Sequence, residues 1–354
     1  MGSIIDLTGN NYEIGEQLGH FWGDYFESLR NKGFPIINRY LEWLNHNIPD
    51  HFIQLYRNTE RMFPDLMMEI EGMANGINNS KLITNNKVTP QQIFTRSLWE
   101  DKRNCTSAIF KTDEGYFICH CLEDDAPPGL FEGVYPLCIS KVNLSNGFNH
   151  KFVSFSYPFS LLGTIGFNRF LAFQGNTIGN IGKSKRYHHR IPYSVFQRKL
   201  LEMTTEAEIK LFLDTHHIAI PGHNYIVFHD KAYSLEIRPQ NIRDPTFSQY
   251  KLIPRDRPWH THTNYFRHST VDKNWLFETD QCTCDWRFEK ITDFCSRHPH
   301  HVDSSKMTKF LAALAHVNFR YTSGFAIIKI SSNSTFCSGE TFFGNGQVFQ
   351  LNLD

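Results

Sequence analysis

The chain has 354 residues, enough for one large domain or two ordinary ones, and it carries 36 lysines and arginines against 36 aspartates and glutamates. That balance, with no basic block, argues against a nucleic acid or an anionic membrane as the main partner. An aromatic share of 14%, led by 31 phenylalanines, predicts a substantial packed core.

The start, Met1-Gly2-Ser3-Ile4-Ile5-Asp6-Leu7, lacks the basic and long apolar regions of a signal peptide. No uncharged apolar run is long enough to span a membrane. A cytoplasmic, reducing location follows as the expectation, so the eight cysteines read as core thiols, a nucleophile or metal ligands rather than disulfides. The first hundred residues look helical. Ile14, Leu18, Phe21, Trp22, Phe26 and Leu29 recur at helix spacing, as do Phe52, Leu55, Tyr56 and Met62. A third stripe, Leu66, Met67, Ile70 and Met73, is expected to stop near Gly76 as a C-cap. The polar stretch from Asn78 to Thr89 reads as a surface loop.

At Cys105 the texture changes. Short runs rich in β-branched and aromatic residues follow, at Thr106 to Phe110, Tyr116 to Cys121, Val134 to Val142 and Phe152 to Tyr157. Turn residues such as Asp113-Glu114-Gly115 separate them, the rhythm of an antiparallel sheet with hairpins. Helices return from Pro192 to Thr215, where Thr205 and Glu208 fit a capping box. Strands resume at Tyr225 to Phe228 and Ala232 to Ile237. Two helices are expected at Asp285 to Ser296 and Ser304 to Val317, then strands at Gly324 to Ile330 and Val348 to Leu353. With no clean linker, this order predicts one layered α+β domain, with residues 1–104 as a helical lobe and 105–354 as the sheet-bearing remainder.

Several segments, in order, resemble one family. They are Gly9 with Tyr12 to Gly15, Leu18 and Gly19; Phe63-Pro64-Asp65-Leu66; Glu69 to Gly76; and Cys105-Thr106-Ser107. Then come Gly115 with His120-Cys121-Leu122-Glu123-Asp124, and the block Gly163, Gly166, Asn168, Leu171 and Asn176. Gly222-His223-Asn224-Tyr225 with Glu236, His262-Thr263-Asn264-Tyr265, and Arg287 complete the set. The chain resembles the acyl-coenzyme A:6-aminopenicillanate acyltransferase family, which includes the carcinine and β-alanyl-dopamine hydrolases.

The resemblance implies a four-layer αββα sandwich of the N-terminal nucleophile type and a zymogen that cuts itself between Asn104 and Cys105. The two products would remain together as an α/β heterodimer. A thiol needs a base at neutral pH, and an N-terminal cysteine carries its own α-amine, with a pKa of about 7.7–8.0. By position, Asn224 and Asn176 are expected as oxyanion donors. Asp124 is expected to hold the α-amine, or Glu123 if the register slips by one. Arg287 is expected to supply a positive charge near the thiolate. Thr106 and Ser107 would assist self-cleavage or orient the new terminus, and His262 and Asn264 would brace the hairpin or line the pocket. The substrate is expected to be a small amide or an acyl thioester, with no cofactor.

The sequence departs from the family at Asn104, Leu122, Phe170 and Tyr265, near the expected pocket. Two other readings stay open. One is a zinc protein, from 18 histidines and the pairs Cys119/Cys121 and Cys282/Cys284, whose i, i+2 spacing would share a face on a strand. The other is a binding protein without catalysis. Within the enzyme reading, hydrolysis and N-acyl transfer differ only in what receives the acyl group.

Overall fold

Alternation of apolar and polar positions gives this chain its strands, and two sheets result. A computed structural model describes residues 3–29, 42, 46, 49–80, 87–99, 104–113, 115–123, 138–145, 149–157, 159–178, 190–238, 250–268, 281–297, 322–331, 337–342 and 348–351. The expected helix at Ser304 to Val317 lies outside these residues, as does the start of the Val134 run.

The first sheet contains β1 (Ser3–Gly9), β4 (Cys138–Ser145), β5 (Asn149–Ser156), β6 (Ile165–Asn168), β7 (Leu171–Thr177), β10 (Gly222–Phe228), β11 (Ala232–Ile237) and β12 (Tyr250–Pro254), in that spatial order. The second runs β13 (Trp259–His262), β2 (Asn104–Thr112), β3 (Gly115–Glu123), β14 (Thr322–Ser331), β15 (Cys337–Phe342) and β16 (Val348–Leu351). β8 (Arg190–Ile191) and β9 (His217–Ile218) form a small parallel pair. Pairing within the large sheets is antiparallel except between β1 and β4. The molecule is a mixed α+β protein.

Residues 1–104, expected as a helical lobe, also supply a strand, β1. Ser3 to Gly9 pair in parallel with Cys138 to Leu144, so the N-terminal segment supplies a strand to the first sheet. Its alternation, with Leu7 buried and Ile4 exposed, was hidden by its shortness.

Three apolar clusters show what faces what. Helices α1 (Asn11–Leu29), α2 (Pro49–Met62), α3 (Pro64–Asn79), α4 (Pro90–Trp99), α5 (Tyr193–Leu200) and α6 (Glu206–Thr215) share a core with Leu144, Phe152, Phe173, Ile226 and Leu235, on one face of the first sheet. Val153, Phe155, Phe167, Ala172, Tyr225 and Val227, on its other face, pack against Cys105, Ile109, Ile118, Ile328 and Ile330 of the second sheet. Behind the second sheet, Ala108, Phe110, Phe117, Cys119 and Cys121 meet Ile291 and Cys295 of α7 (Gln281–Arg297). Thr205 and Glu208 do form the expected capping box at α6.

Gly76 is not a C-cap, because α3 continues to Asn79. Its role is close approach. A Cβ at Gly76 would lie 2.1 Å from the Glu16 carbonyl oxygen, and one at Gly72 would lie 2.1 Å from that of Tyr12. Gly15 and Gly19 meet the Glu69 and Met73 carbonyls in the same way. These glycines let the backbones of α1 and α3 touch. Of the Asn78 to Thr89 stretch, residues 81–86 lie outside the described residues; the Asn78 side chain bonds both the N–H and the C=O of Val88, which is buried. Among the described residues no helix is long and apolar enough to cross a membrane.

Gly72→Val forces a branched side chain into a backbone–backbone contact, where overpacking costs up to about 3 kcal/mol. Urea unfolding of the variant is expected to show a loss of that size; a midpoint equal to wild type would mean the helices do not meet there.

Candidate active site

β2 carries Cys105 into the space between the sheets. Cys105 and Ile109 belong to the cluster that fills that space, whereas Ala108 and Phe110 belong to the one under α7. Period two therefore points Cys105 and Ser107 toward the first sheet and Thr106 toward α7. The contacts agree. Asn176 Nδ2, on β7, donates to Ser107 Oγ at 2.9 Å, and Arg287 Nη1, on α7, donates to Thr106 Oγ1 at 2.8 Å. Cys105 is buried and forms no disulfide.

The backbone of Cys105 is clamped from two sides. Its N–H donates to Asn264 Oδ1 at 2.9 Å, and its carbonyl accepts from Arg287 Nη1 at 2.8 Å. Arg287 Nη2 also donates to Asn264 Oδ1, at 3.1 Å, and Asn264 Nδ2 donates to the Thr177 carbonyl at 2.7 Å. Asn264 thus ties β2, α7 and the end of β7 together. Arg287 and Asn264 are each 1% exposed, so these bonds form away from water and Arg287's are charge-assisted.

One row deeper lies a buried polar belt. On the second sheet His120 stands opposite Ser107, and Ser107 opposite His262. On the first sheet Asn176 stands opposite His223, and His223 opposite Glu236. The two rows meet: the His223 and His262 rings stack 3.4 Å apart at an interplanar angle of 2°, and His262 Nε2 lies 3.2 Å from Glu236 Oε1. Ser234 Oγ bridges His223 Nε2 and His268 Nε2, at 2.9 and 3.0 Å. Gln174, two residues before Asn176 on β7, extends the belt beside His120.

Burial pushes the His120 ring down to about 3; the neighbouring Gln174 amide offsets this only in part. Burial likewise lowers His223 and His262, the latter partly restored by Glu236. His260, beside Tyr225, falls to about 2, first by burial and then by Arg255. Burial alone would raise Glu236, but the His262 hydrogen bond and charge, and the Arg267 N–H, bring it down to about 2. At neutral pH the belt therefore holds neutral imidazoles around one carboxylate.

The sequence-derived candidates now sort by position. Cys105, Thr106, Ser107, Asn176, His262, Asn264 and Arg287 converge. Asn104 opens β2 and Glu123 closes β3, opposite it in register. Asp124 lies outside the described residues. Asn224 does not join Cys105. It alternates with Tyr225 and so faces the helices, where Tyr193 Oη donates to its Oδ1 at 2.7 Å and its Nδ2 donates to the Gln174 carbonyl at 3.1 Å. Asn176 Nδ2 donates to Ser107 Oγ, two residues along β2 from Cys105. Arg287 reaches the Cys105 carbonyl from the α7 side, with the thiol pointing to the opposite face of β2.

Sequence reading missed His120, Gln174, His223 and Glu236 as site residues. The signal was present in the alternation, since Ala172-x-Gln174-x-Asn176 changes an apolar inward face to a polar one. For the zinc reading, Cys119 and Cys121 are core residues under α7, and Cys282/Cys284 fall on a helix, where i and i+2 do not share a face. Among the described residues no three histidine, cysteine or acidic side chains are placed to hold a metal ion. Comparison with models of known protein families gives no match, and a search of curated proteins gives none.

Two outcomes test this geometry. Asn264→Leu strips an acceptor from Cys105 N–H and Arg287 and a donor from Thr177, and is expected to cost about 3 kcal/mol in denaturant unfolding. A neutral result would remove the clamp. His120 binds a proton in the unfolded chain below about 6.5 but in the folded protein only near 3, so its contribution is fully present above 6.5 and lost as pH falls toward 3. His120→Gln is expected to flatten the stability–pH slope in that window by about one proton, or about 1.4 kcal/mol per pH unit. An unchanged slope would show the ring titrating normally.

Proposed function

We propose that the chain is a self-processing cysteine amidohydrolase of the N-terminal nucleophile type, in which Cys105 takes an acyl group from a small amide as a thioester. The observation that carries this is the hydrogen bond from the Cys105 main-chain N–H to Asn264 Oδ1, inside a buried clamp. A cysteine serving only as core needs no buried side chain to hold its own amide. A residue whose nitrogen is to become a catalytic base does. The order of packing, helices, sheet, sheet and helix, supports an αββα sandwich of that class.

The chemistry follows from the placement. The Cys105 thiol attacks the Asn104 carbonyl carbon, the C–N bond breaks, and the acyl group moves from nitrogen to sulfur. Water hydrolyses this thioester, leaving a carboxylic acid on Asn104 and a thiol and an amine on Cys105. In turnover the amine takes the thiol proton, sulfur attacks the substrate carbonyl, and the proton passes to the leaving amine. A second water releases the acid. An amine acceptor in its place would give N-acyl transfer.

Asn264 suits the role given at first to Asp124. An amide oxygen orients the amine without adding negative charge, and Arg287 shares that oxygen. A nearby positive charge disfavours the ammonium form. The amine is thus kept as a base near neutrality.

The expected result with purified protein is two fragments that meet at Asn104–Cys105 on a denaturing gel, and hydrolysis of a small acyl amide. Cys105→Ala runs as a single chain and has lost at least 1,000-fold in activity, the order expected for removing a nucleophile. Undiminished turnover in Cys105→Ala would end the proposal.

A further inference from the structure

Buried polar atoms in a folded protein are nearly always paired, because each one left bare forfeits the hydrogen bonds it made to water. Among the described residues the belt breaks that rule: besides Nδ1 of His223 and Nδ1 of His262, five such atoms sit together in three side chains. These five are Nδ1 and Nε2 of His120, Oε1 and Nε2 of Gln174, and Oδ1 of Asn176. All three residues are 0% exposed. His120 and Gln174 flank one another without a well-formed hydrogen bond.

These atoms lie in the space between the sheets. Asn176 touches Ser107, and His120 stands opposite Ser107 across β2 and β3. Ser107 is two residues from Cys105 on the same face, a rise of about 7 Å along the strand. The unpaired groups therefore form a floor one row below the nucleophile. Apolar side chains of Ile109, Ile118 and Ala172 border it.

We propose that this floor is a binding subsite for an uncharged polar group, and that on the amidase reading above it receives the far end of a short acyl chain bearing an amide or a hydroxyl. The complement is specific. Asn176 Oδ1 accepts, the Gln174 amide both donates and accepts, and a neutral imidazole does one of each. Among the described residues, the three side chains of the floor itself, His120, Gln174 and Asn176, offer no carboxylate, lysine or arginine, so a charged ligand group would lose water without an opposite charge in the floor. A plain alkyl chain would leave all five atoms bare. A neutral group with both a donor and an acceptor satisfies them.

The test uses the full chain and small probes that need neither self-cleavage nor turnover. Acetamide, acetate and methylammonium are titrated at equal millimolar concentrations into protein carrying nitrogen-15 histidine. The His120 signals are identified by their loss in His120→Phe. Acetamide is expected to shift both His120 ring nitrogens, and Gln174→Leu to weaken that response at least ten-fold. Gln174→Leu is also expected to unfold at the same or a higher temperature, because it removes a bare buried amide. Absence of a shift with acetamide would mean that the floor holds only water, and would overturn the subsite. Equal shifts with acetate or methylammonium would overturn its neutrality. A large fall in unfolding temperature for Gln174→Leu would show its amide already paired within the protein, and would overturn the premise. Should the amidase reading fail, these results stand; an active amidase without an acetamide response would sink the subsite alone.

Discussion

Arg287 reaches out of α7 to the carbonyl of Cys105, to Thr106 Oγ1 and to Asn264 Oδ1, and that reach fixes the backbone around Cys105. A buried guanidinium is expensive unless its donors are met. Meeting them here requires β2, the end of β13 and α7 to hold one mutual position. Asn264 closes the arrangement by gripping the Cys105 N–H with the oxygen that Arg287 also uses, while its nitrogen pins Thr177 at the end of β7. The clamp thus locates Cys105 in all directions through its backbone. Its side chain is left to face the first sheet.

That division of labour follows from strand geometry. Successive residues on a strand serve opposite faces, so Thr106 can anchor to α7 while Cys105 and Ser107 look into the gap. The same alternation places His120, Asn176, His223, Glu236 and His262 together, because five strands each turn a polar residue inward at one level. A polar row inside an apolar core is costly, and its members compensate each other through the His262–Glu236 contact, the stacked imidazoles and the Ser107–Asn176 bond. Compensation is incomplete at His120, Gln174 and Asn176 Oδ1, and at one ring nitrogen each of His223 and His262.

Much of this was legible in the sequence, and the failures have physical causes. The change of texture at Cys105, the hairpin that carries Glu236, the capping box at Thr205 and the helix holding Arg287 all rest on local pattern, and local pattern survives folding. Asn224 was misplaced because motif order gives neighbours along the chain but not the face of the strand; Tyr225 and Val227 set that face by packing between the sheets, leaving Asn224 for Tyr193. Gly76 looked like a helix end because glycine commonly ends helices. Its use against the Glu16 carbonyl needs a second helix, met 60 positions earlier in the chain (76 − 16 = 60). β1 was missed because a seven-residue strand outside the run of sheet-like texture has no local partner to announce it. Asn264 was given a bracing role, and it does brace; sequence could not show that what it braces is the nitrogen of Cys105.

The histidines also bear on which group can activate sulfur. A thiol nucleophile is commonly paired with an imidazole that carries the proton it gives up. Among the described residues, imidazoles stand in or beside the gap at His120, His223, His260, His262 and His268, and burial pushes each of them below its ordinary range. Burial makes each of these imidazoles a weaker proton acceptor than a free one. His262 has the best orientation, with Glu236 behind it, yet its Nε2 is turned toward that carboxylate and its ring is stacked on His223. A base of higher affinity is needed, and on the proposed reading it is the α-amine released when the peptide bond before Cys105 opens. The clamp already grips that nitrogen while it is still an amide, so the amine would be created in place, at a hydrogen bond that exists before the cut.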